Sequence, residues 1–292
     1  MPLVTTGELV GGAAGARSAV AAFNIITLEH VEAVIAGAES AGAPVVLQVS
    51  ENAVKFRYGR LLPLARAAVA AAEGADVPVA LHLDHVQSAD LLRQAPEAGF
   101  SSVMYDAARL SYADNLAATR AAADWAHAQG LWIEAELGQI GGKAGQPALD
   151  AHAPGARTDP DQARDFVAGT EVDALAVAIG SAHAMTTRTA TLDHGLLKRL
   201  SAALTVPLVL HGSSGVPDDG LVAAVAGGIA KVNVGTALNA AMTGAVRDFL
   251  ATHPEAVDSR KYLSVGRDAM AREVARVIGV LGGAGSGRAS LA

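Results

Sequence analysis

The sequence predicts an α/β fold, a (β/α)8 TIM barrel with one extra C-terminal helix. Short β-branched runs alternate with alanine-rich helical stretches about eight times, as in repeated strand–helix units of a parallel sheet. Hydrophobic residues make up 51 % and aromatics only 4 %, which suits small-residue helices packed closely on such a sheet. Polar residues stand at the C-terminal end of every strand run, where barrels build their sites.

The strands fall at 19–25, 45–49, 79–83, 102–105, 132–137, 174–179, 208–210 and 231–234. A helix over 28–41 is capped by Thr27, with Glu29 and Glu32 in its first turn facing the positive end of the helix dipole. Another runs over 112–129 and stops at Gly130. An amphipathic helix over 265–280 follows the eighth unit, and the GGAGSGRASLA segment at 282–292 reads as a disordered tail. No shift of composition divides residues 1–292, so one barrel domain is expected. The connection 138–158 is long and rich in Gly and Pro, the composition of a mobile lid.

A net charge of −7 gives no electrostatic reason to expect nucleic acid or a membrane surface as partner. With no cysteine, a transition metal must be held by His, Asp or Glu. The N-terminal stretch lacks a basic start and a long apolar core, and no apolar run approaches the ~20 residues that cross a bilayer, so a cytoplasmic location is expected.

The strand ends carry, in order, Asn24, Ser50, Asp84 with His85, Asp106, Glu134 and Glu136, His183, His211, and Asn233. A lone His beside an apolar run is more often a hydrogen-bonded core residue than a ligand. Here His85, His183 and His211 follow three different runs with Asp84 adjacent, the usual way a barrel rim assembles an open, catalytic metal site. His82 alternates with Leu83 inside its strand and is expected to pack or bond within the barrel. The segments HGSSGVPDDG and KVNVGT, after strands seven and eight, open into helices whose free N–H groups favour phosphate. Gly212, Ser213, Gly215, Asn233 and Thr236 are the candidate donors, or else these glycines are only turn and packing devices.

LHLDH (81–85), GFSSVMYDA (99–107), WIEAELGQIGG (132–142), VDALAVAIGSAH (172–183), PLVLHGSSGVPDD (207–219) and KVNVGT (231–236) together resemble the class II, zinc-dependent ketose-bisphosphate aldolases, which include the fructose- and tagatose-1,6-bisphosphate enzymes. The resemblance runs from about residue 22 to the DSRKYLSVGRDAM segment at 258–270. It implies a homodimer or homotetramer that reversibly cleaves a ketose phosphate between C3 and C4 through a zinc-stabilised enediolate, giving dihydroxyacetone phosphate and an aldehyde. His85, His183 and His211 match the family's zinc ligands, and Asp84 its C4-hydroxyl acid/base. Cobalt or manganese also suits such a nitrogen-rich site, and a monovalent cation is allowed for. The GSSG segment and 233–236 match the C1-phosphate cradle. Ser50 and Arg260 resemble distal-phosphate positions, the arginine from this chain or a neighbouring subunit, and Asn24 and Asp106 match polar pocket positions. Glu134 and Glu136 align where some relatives hold a second or displaced metal, so buried support and metal binding both stay open for them.

Three departures stand out. Relatives follow the glycine pair with an acidic lid segment, whereas Gly141–Gly142 here precede Lys143, Ala144, Gly145 and Gln146, with no carboxylate before Asp150. The lysine expected after the second zinc histidine is missing, with Arg188 one position beyond. Gly235 stands where relatives often carry Asp or Ala. These changes suggest retained metal–enediolate chemistry on a substrate other than the standard glycolytic one. Two other readings use the same residues: a sugar-phosphate epimerase drawing a second acid/base from Lys143 or His152, and a non-catalytic sugar-phosphate-binding protein that has lost its lid acid.

Overall fold

The computed structural model describes residues 2–138, 140–141 and 156–286. In chain order its elements are α1 (Thr6–Gly15), β1 (Val20–Asn24), α2 (Leu28–Ala41), β2 (Val45–Ser50), α3 (Glu51–Phe56), α4 (Leu62–Glu73), β3 (Val79–Val86), α5 (Ala89–Leu92), β4 (Ser102–Tyr105), α6 (Tyr112–Ala128) and β5 (Trp132–Leu137). They continue with α7 (Pro160–Thr170), β6 (Ala174–Val177), α8 (His194–Ala203), β7 (Leu208–Leu210), α9 (Asp218–Ala226), β8 (Ile229–Val234), α10 (Thr236–Thr252) and α11 (Ser259–Ser286). The eight strands close in sequence order into one parallel barrel, β8 pairing back with β1. The expected barrel with its extra C-terminal helix is the observed one.

The two-residue period of a strand sorts side chains between two environments. Phe23, Leu47, Leu81, Leu83, Ile133, Leu175, Leu210 and Val232 point outward into the main core shared with the helices. Inside, Val20, Ala22, Val46, Ala80 and Ala230 fill the N-terminal end together with Val10 of α1.

Helix α1, which the glycine-rich sequence did not suggest, closes that end. A capping box starts it: Thr5 Oγ1 accepts from Glu8 N–H at 3.2 Å, and the Glu8 carboxylate accepts from Thr5 N–H at 2.9 Å. Thr6, fully buried, accepts from the Ser102 hydroxyl at 2.6 Å, and Ser102 pairs with His82 Nδ1 at 2.7 Å. His82 thus bonds within the barrel, as expected.

Boundaries differ where the site begins. Strand β3 continues past 83 through Asp84 and His85 to Val86, with a register shift against β4 between Leu83 and Val86. Strand β6 stops at Val177, leaving His183 on a loop. Thr27 occupies the N-cap position of α2, but its hydroxyl pairs with His30 Nδ1 at 3.0 Å and makes no cap bond. Of the two acids expected in that first turn, Glu29 lies there, while Glu32 binds Arg267 of α11 at 2.8 Å.

Helix α11 starts before the expected 265 and continues through 282–286, so the described part of the expected tail is helical; residues 287–292 lie outside the described residues. It buries Met270, Val274, Val277 and Leu281 against the barrel's outer layer. Gly37 of α2 permits the close crossing, because a Cβ there would lie 2.5 Å from the Ala271 carbonyl oxygen and 2.6 Å from Val274 Cβ. Gly37→Ala is therefore expected to cost about 1–3 kcal/mol by overpacking, read as a lower urea midpoint with an unchanged m-value; an unchanged midpoint would show that α11 can slide without cost.

Candidate active site

Four elements bring their C-terminal ends to one rim. His85 comes from the end of β3, Glu136 from β5, His183 from the loop after β6 and His211 directly after β7. His85 sits at φ 51° and Ala184, next to His183, at φ 58°, a left-handed conformation that is costly for residues with a Cβ and concentrates at functional sites. The ring centroids of His85, His183 and His211 lie 4.9–5.8 Å apart. One donor atom each from His85, Glu136, His183 and His211 falls within 4.8 Å of the others. Tetrahedral bonds of about 2.0–2.2 Å hold donors roughly 3.3–3.6 Å apart, so the set fits one divalent cation after an inward movement, and three imidazoles with a carboxylate suit zinc, cobalt or manganese.

Carboxylates stand behind two of the imidazoles. Asp106 Oδ2 lies 3.0 Å from His85 Nδ1. Fully buried His211 lies between two acids, with Nδ1 at 2.9 Å from Glu136 Oε2 and Nε2 at 2.8 Å from Glu134 Oε1. The structure therefore separates the two glutamates: Glu136 shares the four-residue cluster, whereas Glu134 sits deeper and is held by Lys231 Nζ at 2.8 Å. Burial disfavours charge on His211, but the Glu134 and Glu136 carboxylates outweigh it and push its pKa up to about 9. His82 moves the other way, down to about 3, through burial and then the Lys231 charge.

Asp84 is 2 % exposed. Asn24 Nδ2 donates to its Oδ2 at 2.8 Å, and Gln48 Nε2 donates to Asn24 Oδ1 at 3.4 Å. Among the described residues, Asp84 Oδ1 has no hydrogen-bond partner. Burial alone would raise this carboxyl, but the imidazoles of His85, His211 and His82 and the Lys231 ammonium hold it down to about 2, ionised at neutral pH.

Asn24, Asp84, His85, Asp106 and His183 border a cavity of about 500 Å³ that also presents Ser50, Gly212, Ser214, Asn233, Gly235, Thr236 and Asn239. Both amide atoms of Asn233, 7 % exposed, lack a hydrogen-bond partner among the described residues. Buried polar groups are normally paired, so a ligand is the natural complement. Gly212 takes φ 68°, and a Cβ there would lie 2.6 Å from the Ala182 carbonyl, so glycine lets the chain turn into the segment.

Three expected donors make other contacts. The Ser213 hydroxyl is spent on the Leu210 carbonyl at 3.1 Å, and Gly215 is a packing position against Met185; Ser214 is the serine that borders the cavity. Arg260 is not at the cavity of this chain. Its side chain is 89 % exposed at the start of α11 and forms a two-pronged pair with Asp258. Sequence reading also missed Lys231, although a lysine inside an apolar strand run was the available signal.

Arg188, beside the position of the expected lysine, is held by Asp218 at 2.7 Å and Glu273 at 2.8 Å, within a cluster that includes Arg276. Lys143, Ala144, Gly145, Gln146, Asp150 and His152 lie outside the described residues.

The fructose-bisphosphate aldolase class-II family model matches residues 4–286. The chain belongs to the class II fructose-bisphosphate aldolase family. It is an aldolase, a carbon–carbon lyase. It is 31 % identical to the YdjI aldolase of Escherichia coli K12, over 96 % of this chain and 97 % of that one, with a TM-score of 0.81. A candidate fructose-1,6-bisphosphate aldolase from Coccidioides immitis is 28 % identical over 97 % of both chains, with a TM-score of 0.83. The fructose-bisphosphate aldolase of Campylobacter jejuni shares the fold, at 22 % identity over 96 % of this chain and 95 % of that one, with a TM-score of 0.80.

The ion pairs of Arg188 make it an anchor of α11 in this aldolase. Arg188→Ala is expected to lower stability by about 1 kcal/mol or less per exposed pair while leaving KM for phosphorylated ketoses unchanged in steady-state assays; a tenfold rise in KM would place the guanidinium on substrate instead.

Proposed function

We propose that this aldolase reversibly cleaves a ketose 1-phosphate or ketose 1,6-bisphosphate between C3 and C4, giving dihydroxyacetone phosphate and an aldehyde, with a divalent cation held by His85, His183 and His211. The observation that carries this reading is the uncommitted Asp84 Oδ1 beside the three-imidazole cluster: an ionised base and a cation site open into one cavity.

In the cleavage direction Asp84 accepts the C4-hydroxyl proton as the C3–C4 bond breaks, the bond pair stays with C3, and a proton from solvent on C3 completes dihydroxyacetone phosphate; in the reverse direction Asp84 returns its proton to the aldehyde oxygen. Asn24 holds Oδ2, so the free Oδ1 is the atom that takes the proton. A cation held by these residues would supply Lewis-acid stabilisation for the negative charge that develops on the ketone oxygen. Gly212, Ser214 and Thr236 border the cavity where β7 and β8 lead into helices, and their N–H and hydroxyl groups suit the C1 phosphate. Asn233 presents an amide able to donate and accept toward the ketose hydroxyls. Ser50, at the end of β2, borders the same cavity and suits the far end of the substrate. Replacement of the family's lysine and lid acid favours a ketose other than the one used in glycolysis.

Dihydroxyacetone phosphate release from fructose 1,6-bisphosphate, tagatose 1,6-bisphosphate and fructose 1-phosphate tests the reading. Release is expected from at least one of them, to vanish with chelator and return with zinc. Asp84→Ala is expected to lower kcat by roughly 10²–10⁴-fold, the usual worth of a positioned acid/base. Undiminished turnover in Asp84→Ala, or activity indifferent to chelation, would sink the mechanism; a clear preference for fructose 1,6-bisphosphate would overturn only the shifted-substrate part.

A further inference from the structure

Lys231 and Glu134 are both fully buried in the barrel interior, on β8 and β5, with Nζ 2.8 Å from Oε2. A buried ion pair is weak evidence for stability, because apolar side chains of similar volume fill the same space at least as well. This pair does not stand alone: the second oxygen of Glu134 meets His211 Nε2 at 2.8 Å, while His211 Nδ1 faces Glu136, a member of the four-residue cluster. The carboxylate thus receives hydrogen bonds from two sides, from a lysine below and an imidazole above. Glu134 cannot turn without breaking one of them.

We infer that Glu134 and Lys231 are positioning residues that fix His211 with its Nε2–H donated inward, so that Nδ1 is the nitrogen offered to the cation. Asp106 holds His85 in the converse sense, through Nδ1, leaving Nε2 for the same ion. Carboxylates behind metal-bound histidines fix the ring and its tautomer, and their loss commonly weakens metal binding 10–100-fold. Lys231 extends that support one residue further. It takes up Oε2, so Oε1 remains for His211, and it supplies the positive charge without which a carboxylate is costly to bury in a dry barrel. His82, whose Nε2 stands 3.9 Å from the same Oε2, is the third neighbour of this carboxylate.

The inference rests on the cation site proposed above, and metal affinity tests it without reference to turnover. Zinc binding would be titrated against a chelating dye in wild type, Glu134→Gln, Lys231→Met and the double variant. Glutamine keeps the shape of Glu134 but cannot accept from Lys231 and His211 together, so Glu134→Gln is expected to fold and to bind zinc 10–100-fold more weakly. Lys231→Met is expected to do the same where it folds, and the double variant to lose less than the product of the two single losses, since both act through one carboxylate. The visible spectrum of the cobalt-loaded Glu134→Gln protein is expected to shift, which a pair that merely fills space would not cause. A folded Glu134→Gln variant with wild-type zinc affinity and an unchanged cobalt spectrum overturns the inference. Absence of zinc binding in the wild type would instead overturn the cation site itself.

Discussion

Closing eight parallel strands into a ring forces alternate residues of every strand into one shared, dry interior, and the rest of this molecule depends on that constraint. Small residues such as Ala22, Ala80 and Ala230 fill the narrow end. Farther along the same strands the inward positions become His82, Glu134 and Lys231, then Asn24, Asp84, Glu136 and Asn233. Each polar side chain placed there must find a partner inside the barrel or present itself to the cavity. The connected run from Lys231 through Glu134 and His211 to Glu136 is how the interior satisfies that demand while aiming imidazoles at the rim.

The same dryness sets the electrostatics. Interactions between charges a few ångströms apart are much stronger here than in water, and a carboxylate is retained only where cations or donors face it. Asp84 meets that condition through Asn24 and the neighbouring imidazoles and stays ionised despite burial. Helix α1 seals the opposite end, where Thr6 and Ser102 join the base of the network at His82.

Outside the barrel, α11 ties distant loops together. Its Glu273 and Arg276 engage Arg188 of the loop after β6 and Asp218 of α9, and Arg267 reaches Glu32 on α2. The loop carrying His183 therefore leads into a segment fixed on the outer layer. Arg188, one position beyond the expected lysine, serves the scaffold through its pairs with Asp218 and Glu273.

The sequence by itself determined the barrel, the order of its units, and the gathering of Asn24, Asp84, His85, His183, His211 and Asn233 at one end, because strand runs, their alternation with helices and the rim location of barrel sites are local or topological facts. It left Glu134 and Glu136 equivalent, since both are glutamates of one strand facing inward. Only the tertiary structure separated them, by placing Lys231 of β8 beside one and the imidazole cluster beside the other. It likewise brought Ser214 to the cavity border, Arg188 to Asp218 and Glu273, and Arg260 to Asp258. Each of these choices depends on which side chain from a distant segment arrives within about 3 Å, a distance set by closure and packing rather than by any local pattern.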